Sequence, residues 1–192
     1  MPKLGIEPIR KAALVNATIA EIGRTGSLEV TVSQIARRAG MSAALAHHYF
    51  GSKEEMFLAA MRHILTLYGA EVRGALALAE VGPEARLRAV LAASFSPANF
   101  RREAVGAWLN FWVLAQTVPE ARRLLAIYQR RLRSNLLAGL RPLAGGHAEA
   151  LADGLGALID GLYLREVLKS GPPDGQAAVQ VALDHLRGQL AG

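Results

Sequence analysis

Helical periodicity runs through nearly the whole chain, while alternation with period two is almost absent. Leu14, Ala17, Thr18 and Ile22 fall on one helical face, as do Leu151, Leu155, Leu158, Ile159 and Leu162, and near the end Val179, Leu183, Leu186 and Leu190. A 3.6-residue period lines such side chains up on one stripe, whereas a half-buried strand requires every second residue to be apolar. Val30-Thr31-Val32 is the one strand candidate, and it is too short. The expected fold class is all-α. With 192 residues, 52% of them hydrophobic by type, the chain is long enough to bury a core without a disulfide or metal staple.

Start and stop signals divide the chain into about nine helices. The first runs from about Ile9 to Thr25 and closes at Gly26 in a left-handed cap. Thr31 with Gln34 reads as a capping box opening a short second helix that Gly40 stops. Ser42 caps a two-turn third helix ending before Gly51, and Ser52 with Glu55 opens a long fourth to about Ala79. Gly82-Pro83, Ser96-Pro97 and Thr117 with Pro119 begin the fifth, sixth and seventh. The eighth follows Gly145-Gly146 and reaches about Ser170, and a ninth follows Gly171-Pro172-Pro173. Gly154, Gly156 and Gly161 weaken the eighth helix, which makes sense where another helix or a ligand comes close.

Composition removes several function classes. The absence of cysteine excludes disulfides, thiolate nucleophiles, iron–sulfur centres and cysteine-containing zinc sites. The longest apolar run, Met56 to Met61, has six residues against the ~18–20 of a membrane span, and no apolar stretch follows Lys3, Arg10 and Lys11 as a signal peptide requires. A cytoplasmic protein without membrane contact is expected. There is no G-x-S-x-G, P-loop or H-E-x-x-H pattern, Gly154-Leu155-Gly156 follows no strand, and the five histidines lack metal-ligand spacing. No catalytic residue, cofactor or metal is therefore expected. An all-α enzyme using Asp160 as a base on a small cation is the minor alternative, and a helical protein-interaction module is a third class.

Charge is distributed unevenly. Residues 1–53 hold seven basic and three acidic side chains, and the rest hold fifteen and thirteen, within a net charge of +6. Positive charge gathered at one end suits an anionic partner, nucleic acid above all, although a solubilising surface would look the same.

Thr31 to Gly51 reads TVSQIARRAGMSAALAHHYFG. Two short helices meet at Arg38-Ala39-Gly40-Met41-Ser42, where Gly40 permits a positive φ, Ala36 and Ala39 permit close approach, and Ile35, Met41 and Leu45 form a small core. This is helix-turn-helix geometry, whose second helix enters a DNA major groove. The pattern T-V-x-x-I-A-x-x-A-G-x-S followed by H-Y-F-x-x-K-E, over Thr31 to Glu54, resembles the DNA-binding domain of the TetR family of repressors. Met1-Pro2-Lys3-Leu4-Gly5 with Ile9-Arg10, Ala107-Trp108-Leu109 with Phe111-Trp112, Arg131-Leu132 with Ser134-Asn135-Leu136, and Ala157 to Leu162 look like its branch of choline-responsive repressors of glycine betaine synthesis genes.

The resemblance implies a repressor with a three-helix DNA-binding domain over residues 1–53 and a ligand-binding and dimerisation domain over 54–192. It implies a homodimer through the last two helices, double-stranded operator DNA as partner, and choline, a related cation or another hydrophobic ligand as inducer. On the third helix Ala43, Ala44, His47 and His48 face outward. His47 offers a donor or acceptor to a base edge, and the alanines touch thymine methyls. Similar proteins often carry Gly and Tyr where Ala44 and His47 stand, so the operator sequence does not carry over. Tyr49 and Lys53 match phosphate-contacting positions, and Thr31, Ser33 and Ser42 present hydroxyls at helix N-termini. Trp108, Phe111 and Trp112 share one helical face, as a quaternary ammonium site requires, and Asp160 with Tyr163 would supply a carboxylate and a further wall. Aromatic residues at this spacing serve a core equally well. Tyr128 and Asn110 are weaker candidates.

Overall fold

The computed structural model describes residues 5–191; Met1 to Leu4, which carry part of the N-terminal resemblance, lie outside the described residues. Among the described residues the chain forms α1 (Ile6–Thr25), α2 (Val32–Arg38), α3 (Ala43–Phe50), α4 (Lys53–Leu78), α5 (Pro83–Ser94), α6 (Arg102–Thr117), α7 (Pro119–Ala144), α8 (Ala148–Leu168) and α9 (Gly175–Ala191), with a short 3-10 turn at Gly145–His147. The all-α expectation holds. Two compact units result among the described residues, one made of those up to Thr66 with Arg101–Leu125, the other of Leu67–Phe100 with those from Ala126 onward.

In the first unit the local signals act as read. Gly26 takes φ 67° and its N–H closes α1 on the Ile22 carbonyl at 2.8 Å. Leu14, Ala17, Thr18 and Ile22 are all buried, and the Thr18 hydroxyl donates to the Leu14 carbonyl at 2.8 Å so that its burial leaves no unpaired group. Ile35, Ala36, Ala46, Met56 and Phe57 close the core around them. Each fully buried Leu or Ile contributes ~1.5–3 kcal/mol. Helix α6 crosses α1 at paired glycines: a Cβ on Gly106 would lie 2.8 Å from the Gly23 Cα. Glu21 is buried and accepts from Arg24 at 2.8 Å and from Arg38 of α2, which clamps α2 to α1.

In the second unit Leu87, Val90, Leu91, Leu136 and Leu140 are fully sequestered. Gly139 lets α7 meet α5, since a Cβ there would lie 2.7 Å from Leu87 Cγ. One expectation is corrected. Ser96-Pro97 does not open α6: residues 96–101 form a turn and the helix starts at Arg102. The Ser96 hydroxyl is spent on Glu71 and the Asn99 amide on the Ala93 carbonyl, partners that no local pattern announces. Within the chain, close approach falls at Gly23, Gly106 and Gly139, while a Cβ on Gly154, Gly156 or Gly161 of α8 would meet nothing within 4 Å, which leaves that stretch open to a second chain or a ligand.

Candidate nucleic-acid interface and ligand site

The α2–α3 hairpin is built by two caps. Thr31 accepts the Gln34 N–H at 3.2 Å while the Gln34 side-chain oxygen accepts the Thr31 N–H at 2.7 Å and its hydroxyl at 3.0 Å. Gly40 turns the chain at φ 69°, Met41 N–H closes on the Ala36 carbonyl at 2.9 Å, and Ser42 Oγ accepts the Leu45 N–H at 3.2 Å. With Leu45 half-buried and Ala46 buried inward, Ala44, His47 and His48 stand exposed on α3 and Ala43 half so. Thr31, Ser33 and Ser42 are exposed as well. An exposed face on a short helix of this kind has the dimensions a major groove can accept.

The remaining DNA-facing candidates have defined supports. Tyr49 is half-buried, its ring 5.4 Å from that of His48, and Arg10 of α1 donates to its hydroxyl at 3.5 Å. Arg10 adds a cation beside α3 that the linear motif did not single out, because it lies 39 positions away. Lys53 is drawn inward: its ammonium donates to the Leu28 carbonyl at 3.0 Å and sits 5.4 Å from the Phe57 ring centroid. Arg38 is committed to Glu21, whose carboxyl Arg24, then Arg38, hold below the usual range against the opposing effect of burial.

Trp108, Phe111 and Trp112 lie on α6 in the first unit. Trp108 and Phe111 are buried, Trp112 is half-buried, and the Trp108 ring stands 5.9 Å from Phe111 and 6.4 Å from Trp112. Asn110 donates to the Gly106 carbonyl at 2.8 Å and the Gly26 carbonyl at 3.2 Å.

Asp160 and Tyr163 of α8 belong to the second unit, where the fold gathers a different aromatic set around them. Tyr128 of α7 donates to Asp160 Oδ1 at 3.0 Å, and its ring meets Tyr68 of α4 edge-on at 5.5 Å. The Ser94 hydroxyl gives its hydrogen to the Val90 carbonyl at 2.9 Å, so the Tyr68 hydroxyl is the donor in their 3.0 Å contact. Tyr163 donates to the Asn99 carbonyl at 2.9 Å and stacks on Phe100 at 5.5 Å. Each phenolic hydrogen is thereby assigned and each ring oriented. Burial pushes the Tyr68 phenol up to about 12 and raises Tyr128 and Tyr163 as well. Burial also raises the Asp160 carboxyl, with the Tyr128 hydrogen bond acting the other way. Glu71 brings a second carboxylate, accepting from Ser96 at 3.1 Å and Asn99 at 3.3 Å.

Asp160 reaches solvent through a groove of about 430 Å³ between α7 and α8, lined by Gln129, Arg130, Arg133, Asp153 and Gly156 among others. Sequence reading missed Tyr68, Glu71 and Phe100. Tyr68 and Glu71 share a face of α4 at a spacing of three, a signal too weak to single them out without their α7 and α8 partners.

Comparison with known proteins agrees with both halves. Residues 14–60 match the family described as bacterial regulatory proteins, tetR family, and residues 83–191 match the C-terminal region of BetI-type transcriptional repressors. The HTH-type transcriptional regulator BetI of Brucella suis biovar 1 (strain 1330) is 47% identical over 193 aligned positions, covering 100% of this chain and 97% of that protein. BetI of Rhizobium meliloti (strain 1021) is 48% identical, covering 99% and 94%. Among solved structures, a transcriptional regulator of Pseudomonas aeruginosa PAO1 superposes with TM-score 0.85 at 29% identity, covering 96% of this chain and 92% of that one. A regulator of Saccharomonospora viridis in complex with choline shares the fold, with TM-score 0.82 at 23% identity over 92% of this chain and 95% of that one. An exposed, capped α3 within the stretch that matches the tetR family, followed by a helical region of BetI type, places this chain in the TetR family as a BetI-type, DNA-binding transcriptional repressor.

Proposed function

We propose that the chain works in the cytoplasm as a homodimer that holds α3 of each subunit in successive major grooves of an operator controlling glycine betaine synthesis genes, and that choline releases it. Residues 1–53 act as the reading domain and 54–192 as the sensing and dimerising domain, paired through α8 and α9. Phosphates are contacted from Thr31, Ser33, Ser42, Tyr49 and Lys53, and base edges from Ala43, Ala44, His47 and His48. No catalytic step is part of this role.

The observation that carries the inducer assignment is the half-buried pairing of Asp160 with Tyr128, in the unit that also holds Tyr68 and Tyr163. A quaternary ammonium has no hydrogen to donate, so it is recognised by ring faces and by a carboxylate that stays desolvated with it. Trp108, Phe111 and Trp112 are proposed as a second aromatic surface of the same chemistry. Choline acts only to the extent that it binds better to the conformation whose reading heads are misplaced.

The test is a gel shift on promoter DNA with and without choline. Operator binding that weakens steeply with salt, as released counterions require, and that choline reverses supports the proposal. Binding that ignores salt, or a complex that choline leaves intact, overturns it. Trp108→Ala, checked for folding by circular dichroism, reports on the second surface: an unchanged choline response removes it.

A further inference from the structure

The His47 ring on the reading helix is held in one tautomer, and this decides which bases it can read. His47 Nδ1 lies 3.0 Å from the Gly51 carbonyl oxygen. A carbonyl has no hydrogen to give, so Nδ1 carries the proton and donates. In a neutral imidazole the other nitrogen, Nε2, is then an acceptor only.

Gly51 can hold this position because of the turn it occupies. Its φ of 75° ends α3, and its N–H returns to the His47 carbonyl at 2.6 Å. Residue 47 and residue 51 are therefore tied twice, once through the backbone and once through the ring. The side chain is exposed, so the ring is oriented at the protein surface rather than in the core.

We infer that His47 is a specificity-determining residue that accepts a hydrogen bond, through Nε2, from the exocyclic amine of adenine or cytosine in the major groove. This rests on the DNA-binding reading given above. Guanine O6 and N7 and thymine O4 are acceptors and leave an acceptor nitrogen unpaired, so they are disfavoured at that position. Tyrosine, which similar proteins often carry here, has a hydroxyl that both donates and accepts and would not discriminate in this way.

The experiment selects half-sites for the full-length protein from a randomised duplex library at about pH 8. Each adenine of the selected site is then replaced by purine, and each cytosine by 2-pyrimidinone, which removes only the amine. Affinities are measured for the wild type, His47→Ala and His47→Gln. At one position per half-site, amine removal is expected to weaken the wild type about 3- to 10-fold, the size of one net hydrogen bond. The same removal should change His47→Ala by less than about twofold. His47→Gln, whose amide both donates and accepts, should tolerate guanine there better than the wild type does. The inference is overturned if every amine is dispensable to the wild type, or if the variants diverge from it only at guanine or thymine. A wild type that selects no duplex at all overturns the DNA-binding reading and this inference together, whereas salt-sensitive binding with dispensable amines overturns this inference alone.

Discussion

The Tyr128 hydroxyl donates to Asp160 Oδ1 at 3.0 Å, tying α7 to α8 around a carboxylate whose proton affinity burial has raised. One bond thus joins an aromatic wall to an anion, the two components that attract a cation unable to donate hydrogen bonds. Asp160→Asn keeps the shape and removes the charge, and it is expected to weaken choline binding at least tenfold. Tyr128→Phe keeps the ring and loosens the carboxylate, for an expected ~3- to 10-fold loss. Titration calorimetry checks both, and operator affinity without choline should stay within about twofold of wild type.

Choline affinity should depend on pH through the same carboxyl. A protonated Asp160 carries no charge to attract the cation, so affinity is expected to fall on acidification, beginning above the ordinary carboxylate value of 3.8 because burial raises this group. The folded, ligand-free protein binds a proton here more readily than the unfolded chain does. Its stability should therefore decline as pH rises from that ordinary value through the raised folded one. Denaturation of wild type and Asp160→Asn across mildly acidic pH measures the difference, and equal pH slopes would contradict it.

Glu21 is the opposite case. Arg24, then Arg38, lower its carboxyl below the ordinary value of 4.5, so its stabilisation is present above that value and is lost as pH falls through the lower folded one. Glu21→Gln at neutral pH is expected to cost about 1–3 kcal/mol, less than a fully buried pair because both arginines are partly exposed. Urea denaturation gives the value. A variant as stable as wild type would mean that Arg38 does not need this partner to hold α2.

Gly106→Ala tests the crossing of α6 on α1. The added methyl would fall 2.8 Å from the Gly23 Cα, against backbone that cannot swing aside as a side chain would. Overpacking of this kind costs about 1–3 kcal/mol. Gly154→Ala, where a Cβ meets nothing within 4 Å in the chain, should be neutral or slightly stabilising by thermal denaturation, since alanine is the better helix former, and a clear loss would mean that a second chain or a ligand lies against α8 there.

The helices that were easiest to read were those with a local start and stop. Thr31 with Gln34, Ser42, Gly26 and Gly40 each act within four residues of themselves, and each behaves in the structure as its residue type dictates. The start of α6 departs from its local signal because Ser96 and Asn99 serve Glu71, 25 and 28 positions back, rather than a helix of their own.

The all-α class, the helix-turn-helix and the outward face of α3 are all legible in the amino-acid order alone. These rest on periodicity and capping, whose forces act between residues three or four apart. Long-range packing is what brings Asp160 to Tyr128, 32 positions away, sets Tyr68 against that ring, and assigns the α6 aromatics to the other unit. A lone aspartate in an apolar helix announces that it needs a partner, but chain packing, driven by non-directional burial over the whole surface, selects which one it finds.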